Sequence, residues 1–123
     1  MSIRFVTKQI HAYLDYPVAI ALMVLPFVLG LGTSDPMALW LSVMAGAAAF
    51  VLTLITDHQT GFVPVVPYRL HEFVDLIVGL SFLAAPIVLG FHGIDALFYW
   101  ANGAAVVTVV ALSKPETADA AAA

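Results

Sequence analysis

Two copies of one short pattern carry most of the ionisable chemistry in this 123-residue chain: His11-Ala-Tyr-Leu-Asp15 and, sixty positions on, His71-Glu-Phe-Val-Asp75. On a helix, residues four apart share a face, so each copy sets an imidazole beside a carboxylate. Such a pair suits a pH-sensitive contact or one end of a proton relay. Two pairs meeting across a twofold axis would offer two nitrogens and two oxygens to one metal ion. The plainer use is at a helix terminus near water, where an acidic group is favourable and where Asp15, followed by Pro17, reads as a cap. Interfacial capping and anchoring is the expectation for His11, Asp15, His71 and Asp75. A contact site for lipid or protein, or proton or metal chemistry, is the alternative. No metal and no cofactor are expected.

The elements that must position these residues are themselves duplicated. Laying residue i on i+60 pairs Pro26 with Pro86, Gly30 with Gly90, Asp35 with Asp95, Trp40 with Trp100, Ala45 with Ala105 and Leu52 with Leu112. Matches at rare residue types in one register indicate a tandem duplication. The composition says what kind: 63% of the residues are hydrophobic and 10% charged, with a mean hydropathy of +1.03, far from a soluble domain. The reading is an integral membrane protein. Absence of cysteine excludes thiolate ligands, disulfides and cysteine nucleophiles, and a formal net charge of −4 leaves no basic stripe for nucleic acid.

Uncharged runs from Tyr16 to Ser34 and from Pro36 to Thr56 approach the roughly 20 residues that a helix needs to cross the hydrocarbon core. The second copy supplies Leu76 to Phe91, lengthened if the helix starts near Leu70, and Ala96 to Ser113. The expected fold is therefore all-α, a four-transmembrane-helix bundle of two tandem, parallel-oriented hairpins. Residues 1–14 form an interfacial amphipathic segment, 15–56 the first repeat, 57–69 a linker at headgroup level, 70–113 the second repeat and 114–123 a flexible tail. A cleaved signal peptide at the start is the competing reading, opposed by Asp15, Pro17 and the recurrence of the segment inside the chain. All four basic residues, Arg4, Lys8, Arg69 and Lys114, fall on the side shared by both termini and the linker. The positive-inside rule then makes the termini cytoplasmic.

The remaining repeated residues have structural expectations. Asp35, before Pro36, and Asp95 are helix caps. Pro26 and Pro86 are kinks, with Gly30 and Gly90 allowing close approach of a neighbour. Trp40 and Trp100 are aromatic anchors at the outer interface. The small-residue stretches around Ala45–Ala49 and Ala101–Ala105 let helices pack closely in lipid. All four histidines (His11, His58, His71, His92) fall at or outside span ends, which disfavours ligation of a tetrapyrrole deep in the bilayer. No nucleophile elbow, phosphate loop or dinucleotide fingerprint is present.

The second copy, Gly79-Leu-Ser-Phe-Leu-Ala-Ala-Pro86-Ile-Val-Leu-Gly90-Phe, then Trp100-Ala-Asn-Gly103 and a valine-rich run to Leu112, resembles the SPW-repeat family. These are small bacterial membrane proteins whose two-span unit bears a Ser-Pro-Trp motif in its first span and is often duplicated. The motif reads Leu25-Pro26-Phe27 and Ala85-Pro86-Ile87 in this chain. The resemblance covers about residues 11–113 and implies the four-span duplicated fold, without implying an activity. The functional expectation is a non-enzymatic membrane protein, an accessory or scaffolding subunit packing against other integral membrane proteins or itself. The alternative is a small proton- or ion-coupled transporter or sensor using the His-x-x-x-Asp pairs.

Overall fold

A computed structural model describes residues 3–114 of the chain. Four helices make up the described residues: α1 (Lys8–Val28), α2 (Met37–Leu54), α3 (Tyr68–Leu89) and α4 (Ile94–Leu112). At 1.5 Å per residue they are roughly 27 to 33 Å long, the thickness of the hydrocarbon core. Each is apolar enough to cross a membrane, and less than a third of each span is buried by the rest of the chain. The apolar outer faces, with Phe27, Val28, Met44, Val88 and Leu97 more than half exposed, match lipid rather than water. α1 packs along α2 and α3 along α4, which makes the two expected hairpins.

The expected boundaries shift at the starts of two helices. Residues 3–14 are not a separate interfacial helix: α1 starts at Lys8, capped by the Thr7 hydroxyl accepting from the Ile10 N–H at 3.1 Å, and runs on through Pro17. Proline is tolerated inside a membrane helix because neighbours can satisfy the carbonyl it frees. Likewise α3 begins at Tyr68, so Tyr68 and Arg69 belong to the helix and not to the linker. The expected tail falls, beyond Lys114, outside the described residues.

The helix ends correct a second expectation. Gly30 and Gly90 have φ of +67° and +75°, and a Cβ at either would meet nothing within 4 Å, so neither is a close-approach site. They end helices in the left-handed conformation that glycine adopts without strain. In the first hairpin the Gly30 N–H donates to the Phe27 carbonyl and the Leu31 N–H to the Pro26 carbonyl, the paired bonds of a Schellman end. Close approach belongs to Gly46 and Gly103 instead. A Cβ on Gly46 would stand 2.7 Å from the Ala19 carbonyl oxygen, and one on Gly103 2.8 Å from that of Gly79.

Those contacts reveal the true register of the duplication. Ala19 and Gly79 are sixty apart, but Gly46 and Gly103 are fifty-seven apart. The chain entries and exits agree. Val6 lies in an isolated parallel bridge with Ser113, and Val66, its equivalent at sixty, bridges Thr56. The first helices of the hairpins thus repeat at sixty and the second at fifty-seven, because the connection in the second hairpin (90–93) is shorter than that in the first (29–36). Trp40 and Trp100, and Asp35 and Asp95, are therefore not structural equivalents. The bridges also close the molecule: each hairpin's exit is tied to the other's entry.

The hairpins touch at both ends. At one end Leu22, Leu31, Ala38, Phe82, Phe91, Phe98 and Tyr99 form a shared apolar cluster, and Tyr99 donates its hydroxyl to the Ala38 carbonyl at 2.7 Å. Asp95, in the first turn of α4, is fully buried and does not cap its own helix. Its carboxylate accepts instead from the Gly32 and Ser34 N–H groups, each at 2.9 Å, and from the Ser34 hydroxyl, all in the other hairpin's loop. Asp35 accepts from the Met37 N–H at 2.9 Å, at the start of α2. The other end of the bundle is held by the paired histidines and aspartates.

Candidate functional site

Asp15 and Asp75 each stand on the eighth residue of their helices, two turns past the first free N–H groups, so neither caps. The i,i+4 spacing places His11 over Asp15 on α1 and His71 over Asp75 on α3, and the pseudo-twofold arrangement turns the two faces towards each other. The four residues close into an alternating ring. His11 Nε2 lies 2.9 Å from Asp75 Oδ2 and 3.2 Å from Asp15 Oδ1, and His71 Nε2 lies 3.1 Å from Asp75 Oδ2 and 3.2 Å from Asp15 Oδ2. Both imidazoles are buried, and the carboxylates retain 11% and 19% exposure, so the ring meets its surroundings through the aspartates. The proton and ligand candidates of the sequence are thus brought together, across the two hairpins as well as within each.

Two hydroxyls that sequence reasoning did not single out orient the imidazoles. Ser113 donates its proton to the Val109 carbonyl at 2.7 Å, so it must accept from His11 Nδ1, 3.1 Å away. Thr56 donates to the Leu52 carbonyl and accepts from His71 Nδ1 at 2.7 Å. Each Nδ1 therefore carries a hydrogen, and each Nε2 is aimed at the carboxylates. Thr56 and Ser113 are fifty-seven apart, the same offset as Gly46 and Gly103. The ungapped register of sixty pairs Ser113 with Thr53 instead and hides the match. The signal was present in the small-residue positions, had the second helices been aligned separately.

The linker supplies a third histidine. Tyr16 donates its hydroxyl to the Thr60 carbonyl at 2.6 Å, and Thr60 donates to the Ala12 carbonyl at 3.0 Å, which fastens the linker over α1. Its fully buried His58 side chain then points Nε2 at Asp15 Oδ2 across 3.4 Å. Asp15 Oδ2 thus has ionic contacts to His71 and His58, but neither it nor His58 Nε2 makes an aligned hydrogen bond. Around the ring, Tyr68 sits edge-on to His11 with ring centroids 5.6 Å apart, and Lys8 Nζ lies 5.3 Å above the Tyr68 ring.

Above the ring the hairpins part. A cavity of about 410 Å³ runs between all four helices from His11, Asp15, His71 and Asp75 towards Leu22 and Asn102. Its walls are small and apolar, among them Ala45, Ala49, Val74 and Val106. The small-residue stretches expected to serve helix contact are thus divided: Gly46 and Gly103 make the close contacts, Ala45, Ala48, Ala49 and Ala105 line the cavity, and Ala47, Ala101 and Ala104 lie on the exposed face. With unprotonated Nε2 atoms the ring would carry two carboxylates and no compensating charge at the edge of low-dielectric space, an arrangement of high electrostatic cost. Two protons or one divalent cation at the centre removes that cost.

No curated protein and no solved structure matches the chain. A match does come from the SPW repeat domain, over residues 9–114, nearly the whole described chain and both hairpins with the ring between them. The chain belongs to the SPW repeat domain family.

Proposed function

We propose that this protein is a small, non-enzymatic membrane protein that binds a cation, the proton included, in the His/Asp ring and passes it to or from the cavity between its hairpins. One observation carries the reading: two pairs sixty residues apart in sequence close into one buried ring, with edges of 2.9 to 3.2 Å, at the end of a 410 Å³ cavity. Buried ionisable groups lining a cavity in a membrane bundle are costly and mark ion pathways. The ring lies at the end of the bundle that carries Arg4, Lys8, Arg69 and Lys114. By the positive-inside rule that end faces the cytoplasm, in a bacterial inner membrane. Lipid, and other integral membrane proteins or further copies, cover the apolar outer faces; nucleic acid has no role.

An accessory or scaffolding subunit is the reading that composition favoured. It draws less support here because Gly46 and Gly103 are buried against the other helix of their own hairpins, and Ala45, Ala48, Ala49 and Ala105 line the cavity. Purified protein in liposomes with an internal pH-sensitive dye tests the proposal. Proton or cation flux above that of empty vesicles, lost in Asp75→Asn, is the expected result. Flux equal to empty vesicles, or unchanged by Asp75→Asn, would overturn it.

A further inference from the structure

Resting on the cation-binding reading above, we infer that the ring is a four-coordinate site for one divalent transition-metal ion. The ligands are His11 Nε2, His71 Nε2 and one oxygen each from Asp15 and Asp75. The sequence alone points to no metal; the meeting of the hairpins changes that expectation.

Spacing is the first argument. A zinc-sized ion with bonds of about 2.0 to 2.1 Å needs neighbouring tetrahedral ligands roughly 3.4 Å apart. Three edges among His11 Nε2, His71 Nε2, Asp75 Oδ2 and Asp15 Oδ1 measure 2.9 to 3.2 Å, His71 Nε2 meets Asp15 through Oδ2 at 3.2 Å, and one ligand atom from each of the four residues lies within 4.8 Å of the others. Small side-chain rotations bring them onto one ion.

Preparation of the donors is the second. A metal-bound imidazole presents one bare nitrogen and holds its other N–H in a hydrogen bond, which fixes tautomer and ring orientation. Ser113 and Thr56 do this for His11 and His71, and each hydroxyl is itself fixed by a helix carbonyl. Two neutral imidazoles and two carboxylates carry a charge of −2, which one divalent ion neutralises. Two nitrogens and two oxygens without thiolate suit a first-row divalent ion of the zinc, manganese or iron kind.

The third argument is the pair of buried atoms left without a hydrogen bond, Asp15 Oδ2 and His58 Nε2. With Asp15 Oδ1 on the ion, Oδ2 becomes the outer oxygen that orients the carboxylate, and His58 is placed to hold it from the linker.

The test is titration of the detergent-purified full chain with Co²⁺. The expected result is one saturable ion per chain with the strong visible absorption of low-coordinate cobalt, displaced by Zn²⁺. His11→Gln and Asp75→Asn should weaken binding at least tenfold, and Ser113→Ala or Thr56→Ala about tenfold, the range seen when an outer-shell partner of a ligating histidine is lost. His92→Gln, in the exposed turn at the far end, should leave it unchanged. The hydroxyl variants keep the test alive if the ring variants do not fold. Absence of saturable binding to folded protein, a pale six-coordinate spectrum, or binding unaltered by the ring variants would overturn the site. Asp75-dependent proton flux without metal binding removes the metal and leaves the cation-binding proposal. Metal binding without any flux supports the site and removes the transfer role.

Discussion

His11 on the first hairpin hydrogen-bonds Asp75 on the second at 2.9 Å, closer than it stands to Asp15 one turn away on its own helix. Each helical pair is therefore completed by its counterpart, and the ring is an interface as well as a site. Removing one member leaves the others buried and uncompensated. Asp75→Ala should lower stability by about 3 to 5 kcal/mol, whereas replacing His11, Asp15, His71 and Asp75 together with leucine should cost little or stabilise. Thermal melts followed by circular dichroism in detergent check the order. A fourfold variant less stable than Asp75→Ala would show that the ring is held for stability rather than for binding.

Close packing within each hairpin rests on two glycines. Alanine at Gly46 or Gly103 would press against a backbone carbonyl, of Ala19 or Gly79, which cannot swing aside as a side chain can. The helices must separate, at a cost of about 1 to 3 kcal/mol by analogy with overpacked cores. Ala48→Val, which adds volume on the cavity wall, should cost less than either. The same detergent melts compare the three.

Much of this architecture was legible before the structure. Four uncharged runs near the length of a membrane span dictate the helices, and the repeat dictates two hairpins. The ring was half legible: i,i+4 spacing puts His11 with Asp15 and His71 with Asp75, but the spacing is silent on whether the two faces meet. That depends on how Val6 and Val66 tie the hairpin exits to the entries, a non-local relation that no local pattern encodes. Thr56 and Ser113 escaped because a shorter second turn moves the register from sixty to fifty-seven, and an ungapped comparison spreads one alignment over both helices. Asp95 misled for a related reason. Its position just before an apolar run has the form of a cap, while its acceptors are satisfied by a loop that the sequence places 61 to 63 residues away.

Pro26 and Ser42 make a pair whose coupling can be measured. Proline has no N–H, so the Leu22 carbonyl four residues earlier lacks its helical partner. The Ser42 hydroxyl, fully buried on α2, donates to that carbonyl at 2.8 Å. Ser42→Ala should therefore cost about 1 to 3 kcal/mol, the range for a buried acceptor left unsatisfied. In a Pro26→Ala background the restored N–H takes over, and the same substitution should cost close to nothing. A double-mutant cycle on melting temperature reads the difference, and equal costs in both backgrounds would show that the hydroxyl is not filling the proline's gap.

Asp95 holds the far end of the bundle together in the same cross-hairpin manner. Its two oxygens receive three donors, the N–H groups of Gly32 and Ser34 and the Ser34 hydroxyl, and the residue is fully buried. Asparagine fits the space but turns an NH₂ group towards at least one donor, since only one of its two terminal atoms accepts. Hydrogen bonds to a charged acceptor contribute about 1.5 to 3 kcal/mol each, so Asp95→Asn should destabilise by at least about 2 kcal/mol. The loss should also be local. Amide hydrogen exchange at Gly32 and Ser34 should accelerate in Asp95→Asn, while the ring end, more than a helix length away along the chain, keeps its protection and its Co²⁺ response. Exchange that speeds up equally at both ends would mean that the hairpins open as one unit, and that the far-end clamp sets the geometry of the ring.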